Sequence, residues 1–180
     1  MQVADTRRAD GSGALDSVAF VRFRLGGFPL ALEAGHVARV APAPEQTRLP
    51  GAPATVTGLG YVGGRPTVLV SLAGRLDVEP EGEDRRVVVV AGERTPAVGL
   101  LTDGGSELVT APVEAVTPAD AAEDFFLGDA ATDPLFRAVV AADAGQAYVL
   151  APAGVTALAR GTGAGVNAST DGGRRGGGRE

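Results

Sequence analysis

Few residues in this sequence stand in patterns that could do chemistry. Gly58-Leu59-Gly60-Tyr61-Val62-Gly63 satisfies the G-x-G-x-x-G spacing of a dinucleotide-phosphate loop, and Asp77 stands near the distance of a ribose-binding acid. That chemistry needs a helix opening within the glycines, so that its amides and dipole face the pyrophosphate. Here Gly64-Arg65-Pro66 follows, then Thr67-Val68-Leu69-Val70, a β run, so the glycines read as strand and turn. His36 is the sole histidine. A nucleophilic triad would bring it to Ser71 or Ser106, yet no G-x-S-x-G elbow is present. The acids Glu81, Glu83, Asp84 and Asp120, Glu123, Asp124 offer carboxylate pairs of the kind glycoside hydrolysis uses. Both groups lie beside prolines (Pro80, Pro118) in loop-like sequence, where solvated charge is expected. Asp129 and Asp133 lack the dense acid spacing of a calcium loop.

The inventory excludes more than the motifs suggest. The chain has 180 residues with no Cys, no Trp and no Lys; all 16 basic residues are Arg. Disulfides, thiolate zinc sites, cysteine nucleophiles, a Walker A lysine and a Schiff base are therefore impossible. No metal site and no cofactor is expected. A net charge of −6 with scattered arginines argues against nucleic acid. The acidic, lysine-free balance fits either a high-salt cytoplasm or a GC-rich genome. No secretory h-region opens the chain and no apolar run reaches the ~18 residues of a spanning helix, so a soluble cytoplasmic protein without direct membrane insertion is expected.

The elements that must position any site read as strands. Residues 1–16 and 161–180 are polar and glycine-containing, and are expected to be disordered tails around one ordered region, 17–160. Val18 to Leu25 alternates, with Ala19, Val21, Phe23 and Leu25 on one face and Arg22 and Arg24 on the other, expected in solvent. Gly26-Gly27 turns it into Phe28–Leu32, a hairpin. Arg85 to Ala91 holds four consecutive Val, a fully buried strand, and Gly92-Glu93-Arg94 turns it toward Ala97–Thr102. Turns at Gly63-Gly64 and Ala144-Gly145 open similar stretches, GRPTVL and GQAYVL, which points to two related β units. Short helical segments are expected at Glu33–Val37, Leu72–Leu76 and Thr156–Leu158. Phe125-Phe126-Leu127 reads as an apolar plug over a barrel end or as an exposed docking patch. With aromatics at 4%, the core must come from Val, Leu and Ala.

In this order the segments resemble the CheW-like domain of chemotaxis signalling. Phe20 to Glu33 is similar to that family's opening strand, glycine turn and second strand. Val37-Ala38-Arg39-Val40 falls where the family has its next strand, and Leu49-Pro50-Gly51-Ala52-Pro53 through Val56, Gly58 and Leu59 looks like its proline-bounded loop. Gly64 to Leu72 and Ala97 to Val109 match two further stretches. The resemblance spans roughly 18–159 and implies an all-β fold, two small SH3-like five-stranded barrels packed together with a few short helices. It also implies a non-catalytic adaptor that couples methyl-accepting chemoreceptors to a CheA-like histidine kinase. The family's usual Asn-Leu-Arg-Gly reads Tyr61-Val62-Gly63-Gly64 here, its Pro is Val68 and its Asp before the short helix is Ser71. A glutamate common in the first barrel is Arg39. In the family that Glu and the Arg lie close and interact, so their joint departure is coherent.

The interface positions this implies are Val37, Arg39, Val40, Gly58, Gly63 and Gly64, the valines giving apolar contact and the glycines letting another backbone approach. Two rival readings remain. A divergent barrel pair could bind another protein partner or a small ligand, and the small-ligand reading would show a deep apolar pocket. An enzyme would bury His36 with an acid in one cleft.

Overall fold

Alternation along each strand decides how the chain can bury an uninterrupted valine run. In the computed structural model, which describes residues 17–122, 133–143 and 145–161, eleven strands and two short helices follow one another. They are β1 (Ser17–Leu25), β2 (Phe28–Glu33), β3 (Val37–Pro42), β4 (Val56–Val62), β5 (Arg65–Val70), α1 (Ala73–Leu76), β6 (Arg86–Val90), β7 (Ala97–Thr102), β8 (Glu107–Pro112), β9 (Val116–Pro118), β10 (Phe136–Ala142), β11 (Gly145–Leu150) and α2 (Pro152–Leu158). In β6, Val87 and Val89 face one apolar cluster while Val88 and Val90 face another, so no side of this strand meets solvent.

The strands form two sheets, ordered β8-β1-β2-β11-β10-β9 and β3-β6-β7-β5-β4. Each curls around its own core. Phe20, Ala31, Ala111, Ala138, Val140, Ala147 and Val149 fill the six-stranded barrel, and Val62, Leu69, Val87, Val89, Ala97 and Leu101 fill the five-stranded one. A third and larger layer lies between them, where Leu30, Leu32, Leu72, Leu100 and Leu150 are fully buried. Each such leucine contributes roughly 1.5–3 kcal/mol of transfer free energy, which makes this shared layer the main bond between the barrels.

The fold is all-β as expected, with two packed barrels, and the six-stranded sheet has one strand more than expected. The addition is β9, three residues ending in a proline, too short to leave a period-two signature. The expected helical segments are a 3-10 turn at Ala34–His36, α1, and α2, which begins earlier than expected, with Pro152 in its first turn. Ser71 stands in for the family's acid before α1, its Oγ accepting from Ala73 N at 3.2 Å. On the face of β1 expected in solvent, Arg24 is exposed but Arg22 is not. Arg22 is buried at 7% exposure, because that face of β1 next to Phe20 lines the six-stranded core.

Connectivity gives the two units an unexpected relation. The hairpin β1–β2 pairs with β8 and β11, and the hairpin β6–β7 pairs with β3 and β5. Each half of the chain thus lends its opening hairpin to the barrel completed by the other half. The GRPTVL and GQAYVL stretches do occupy equivalent strands, β5 and β11, each antiparallel to the strand before it and parallel to a borrowed one. Their register is offset by one residue from the sequence match. Arg65 closes the β4–β5 turn as Gly145 closes β10–β11, so Leu69 corresponds to Val149. The tail residues 1–16 and 162–180 and the Phe125-Phe126-Leu127 segment lie outside the described residues.

Candidate functional site

The two edge strands of the five-stranded barrel, β3 and β4, carry the residues singled out above. On β3, Val37 and Val40 are half-buried against the central layer and Arg39 between them is exposed. Gly63 and Gly64 form the two-residue turn between β4 and β5, with φ of +58° and +79°, a left-handed pair that only glycine adopts without strain. The Arg39 guanidinium lies across Gly63: a methyl group on that glycine would stand 2.6 Å from Arg39 Cζ. Positions 39 and 63 therefore meet, and the cation over the turn comes from the strand.

Gly58 belongs to a different contact. It is buried on β4, and a side chain there would stand 2.7 Å from the Thr47 carbonyl oxygen; one on Gly60 would stand 2.7 Å from Pro44 Cγ. Thr47 and Leu59 exchange backbone hydrogen bonds of 2.8 Å in both directions. The backbone that these glycines admit is the chain's own 44–47 segment, which lies across β4. The same glycines form the G-x-G-x-x-G spacing, and they sit on a strand and a turn, not at a helix start.

Internal symmetry supplies the reference for Arg39. Ala31 on β2 and Gly99 on β7 are equivalent, since each lies beside the matching residue of β11 or β5. Ala31 pairs with Arg22 and Gly99 with Val89; Arg22 pairs in turn with Glu107, and Val89 with Arg39. Glu107 and Arg39 thus hold one position in the two barrels. In the six-stranded barrel the Arg22 Nη1 donates to Glu107 Oε1 at 2.9 Å, and Arg22 lies close under Gly145 at the β10–β11 turn. In the five-stranded barrel the inner partner is an apolar valine, and Arg39 has no carboxylate partner among the described residues.

The other polar candidates do not converge. His36 is exposed in its 3-10 turn, Ser71 serves the start of α1, and Ser106 lies in an exposed loop. Glu81, Glu83 and Asp84 line an open cleft of about 610 Å³ with Arg24 and Asp103. Asp103 is engaged there in structure: its Oδ2 accepts from Gly26 N at 2.5 Å, and its N donates to Arg24 O at 2.9 Å. Asp133 pairs with Arg75 and also accepts from Leu135 N at 2.9 Å, bracing α1 against the start of β10. Asp120 is exposed, while Glu123, Asp124 and Asp129 lie outside the described residues. Among the described residues no three His, Cys, Asp or Glu gather as metal ligands, and no helix is long and apolar enough to cross a membrane.

Sequence reasoning missed three contributors. Arg65 stands beside Gly64, Tyr61 is largely exposed on β4, and the Arg22–Glu107 pair defines what Arg39 lacks. Tyr61 was readable as an outward residue of β4 from its alternation with Gly60 and Val62. The pair was not, its members being 85 residues apart.

Comparison with known proteins accounts for this architecture. The probable chemotaxis protein CheW of Rhizobium etli is 29% identical over 99 residues, covering 54% of this chain and 64% of that protein, so the match spans under two thirds of the relative. The crystal structure of the scaffolding protein TtCheW from Thermoanaerobacter tengcongensis superposes with a TM-score of 0.61 over 74% of this chain and 88% of that one; at 17% identity the likeness is one of fold. The family model of the CheW-like domain matches residues 19–157, which takes in every strand from β1 to β11, and the chain belongs to the CheW-like domain family.

Proposed function

We propose that this protein is a chemotaxis adaptor that couples chemoreceptors to a CheA-like histidine kinase in the cytoplasm, with no catalysis of its own. The observation that carries this reading is the match to the CheW-like domain across both barrels. One part of the surface suits it: Arg39 of β3 lies over Gly63 beside Gly64 in the β4–β5 turn, while Val37 and Val40 are on the opposite face of β3, half-buried against the central layer. Its role is shape and charge. A guanidinium over a side-chain-free turn offers a partner close backbone approach and a fixed cation, and interfaces of this kind select partners by charge as much as by area. Gly58 enters this reading as a support, since it seats the segment that covers the far end of β4.

Sedimentation of the full chain with a purified CheA kinase and a chemoreceptor cytoplasmic fragment tests the adaptor role. The expected result is a complex containing all three components. Absence of association at both low and high salt would remove the adaptor role and leave the fold untouched.

A further inference from the structure

Two barrel mouths in one chain share a pairing scheme and differ in their charge. In the six-stranded barrel the position held by Glu107 meets Arg22 from inside the same chain. In the five-stranded barrel that position is Arg39 and the inner residue is Val89, so the cation has no counter-charge among the described residues. Three turns meet at this end: the 3-10 turn Ala34–His36, the Gly63-Gly64 turn, and residues 91–96, with Ala91 N donating to His36 O at 2.8 Å. Exposed Arg39, Arg65 and Arg94 thus lie at the same end of the barrel, with Glu93 next to Arg94 in sequence, in a chain whose net charge is −6. Three acids, Glu81, Glu83 and Asp84, precede β6 and lie at the opposite end of this barrel.

We infer that the Arg39 mouth docks an acidic segment of a partner protein, whose Asp or Glu carboxylate fills the role that Glu107 plays for Arg22 in the other barrel. The recognition chemistry is visible within the molecule. The guanidinium lies over a turn without a side chain and is exposed, and a planar cation of this kind pairs best with a carboxylate. Arg65 and Arg94 at the same end add positive potential, which favours and steers an acidic segment against a protein that otherwise repels acids. This deepens the adaptor reading by giving the sign of charge on the partner's surface, and it rests on that reading only for the partner being a protein.

The test uses the full ¹⁵N-labelled chain titrated with an N-acetylated hexaglutamate peptide, with hexaglutamine as the neutral match. Hexaglutamate is expected to move the amide signals of Arg39, Gly63, Gly64 and Arg65, and the effect should fade at high salt as the charges are screened. Arg39→Gln and Arg39→Glu, which alter an exposed side chain with no carboxylate partner among the described residues, should both stay folded. They should weaken the peptide's effect, by roughly fivefold for the charge reversal. Equal shifts from hexaglutamine would overturn the inference, as would shifts that survive Arg39→Glu. So would concentration-dependent shifts of the same amides without peptide, which would assign the mouth to a second copy of this chain. The peptide is no chemotaxis protein, so a failure here leaves the sedimentation test of the adaptor role standing.

Discussion

The two barrels are near-copies in backbone pairing and opposites in how they treat one buried-to-surface position. At the six-stranded mouth the inward strand supplies Arg22 and the edge strand supplies Glu107; at the five-stranded mouth the same places hold Val89 and Arg39. The first pair closes on itself. The second leaves a cation facing outward over a turn stripped of side chains. A charge paired inside the fold is costly to strip of its partner, and a charge left open is available for recognition. The comparison therefore separates a mouth that holds the molecule together from a mouth that can be used by something else.

The strongest perturbation tests what the barrels share. Leu32 and Leu100 are equivalent residues on the borrowed hairpins, and both are fully buried in the central layer. Leu32→Ala or Leu100→Ala should each cost about 3 kcal/mol in urea unfolding. The loss should appear as one transition, whether followed by tyrosine fluorescence or by far-UV circular dichroism. Two resolved transitions would mean that the barrels unfold as separate modules, and the comparison between them would then lose its common frame.

A smaller effect addresses the closed mouth. Arg22→Ala strands the Glu107 carboxylate and opens a gap at the barrel end, and should cost about 1–2 kcal/mol; Glu107 is half exposed, so water recovers part of the lost interaction. The smallest effect belongs to the open mouth. Arg39→Ala should leave stability within about 0.5 kcal/mol of the parent. Equal losses at the two positions would erase the distinction, and a loss above about 1 kcal/mol at Arg39 would show that it has an internal partner.

Much of this architecture is legible from local pattern. The alternation of β1, the Val87–Val90 run, the glycine turns and the short helices all follow from period and turn chemistry that act over a few residues. What escaped is what depends on distant partners. Arg22 reads as a solvent residue because arginine usually is one, and only Glu107 in β8 and the turn before β11 explain its burial. The glycines of β4 read as open ground for a partner because nothing nearby in sequence reveals that residues 44–47 return across Gly58 and Gly60. The exchange of hairpins left no local trace, since β1 and β2 have the same pattern whichever strands they join. At the candidate surface, the convergence of positions 39 and 63 came from family resemblance. The open charge of Arg39 became visible only once its counterpart in the other barrel was known.

The exchanged hairpins also govern how this chain can be made. Strand β2 finds its parallel neighbour in β11, so Leu30 must wait for Tyr148. During synthesis the opening hairpin leaves the ribosome long before the segment that completes its barrel, and an isolated hairpin is marginally stable in water. Neither half can mature alone, and the final topology is assembled from contacts of high sequence separation, which slows folding. The arrangement trades rapid maturation for a molecule whose two ends are locked into each other, so that a premature stop anywhere before β11 yields no finished barrel of the first kind.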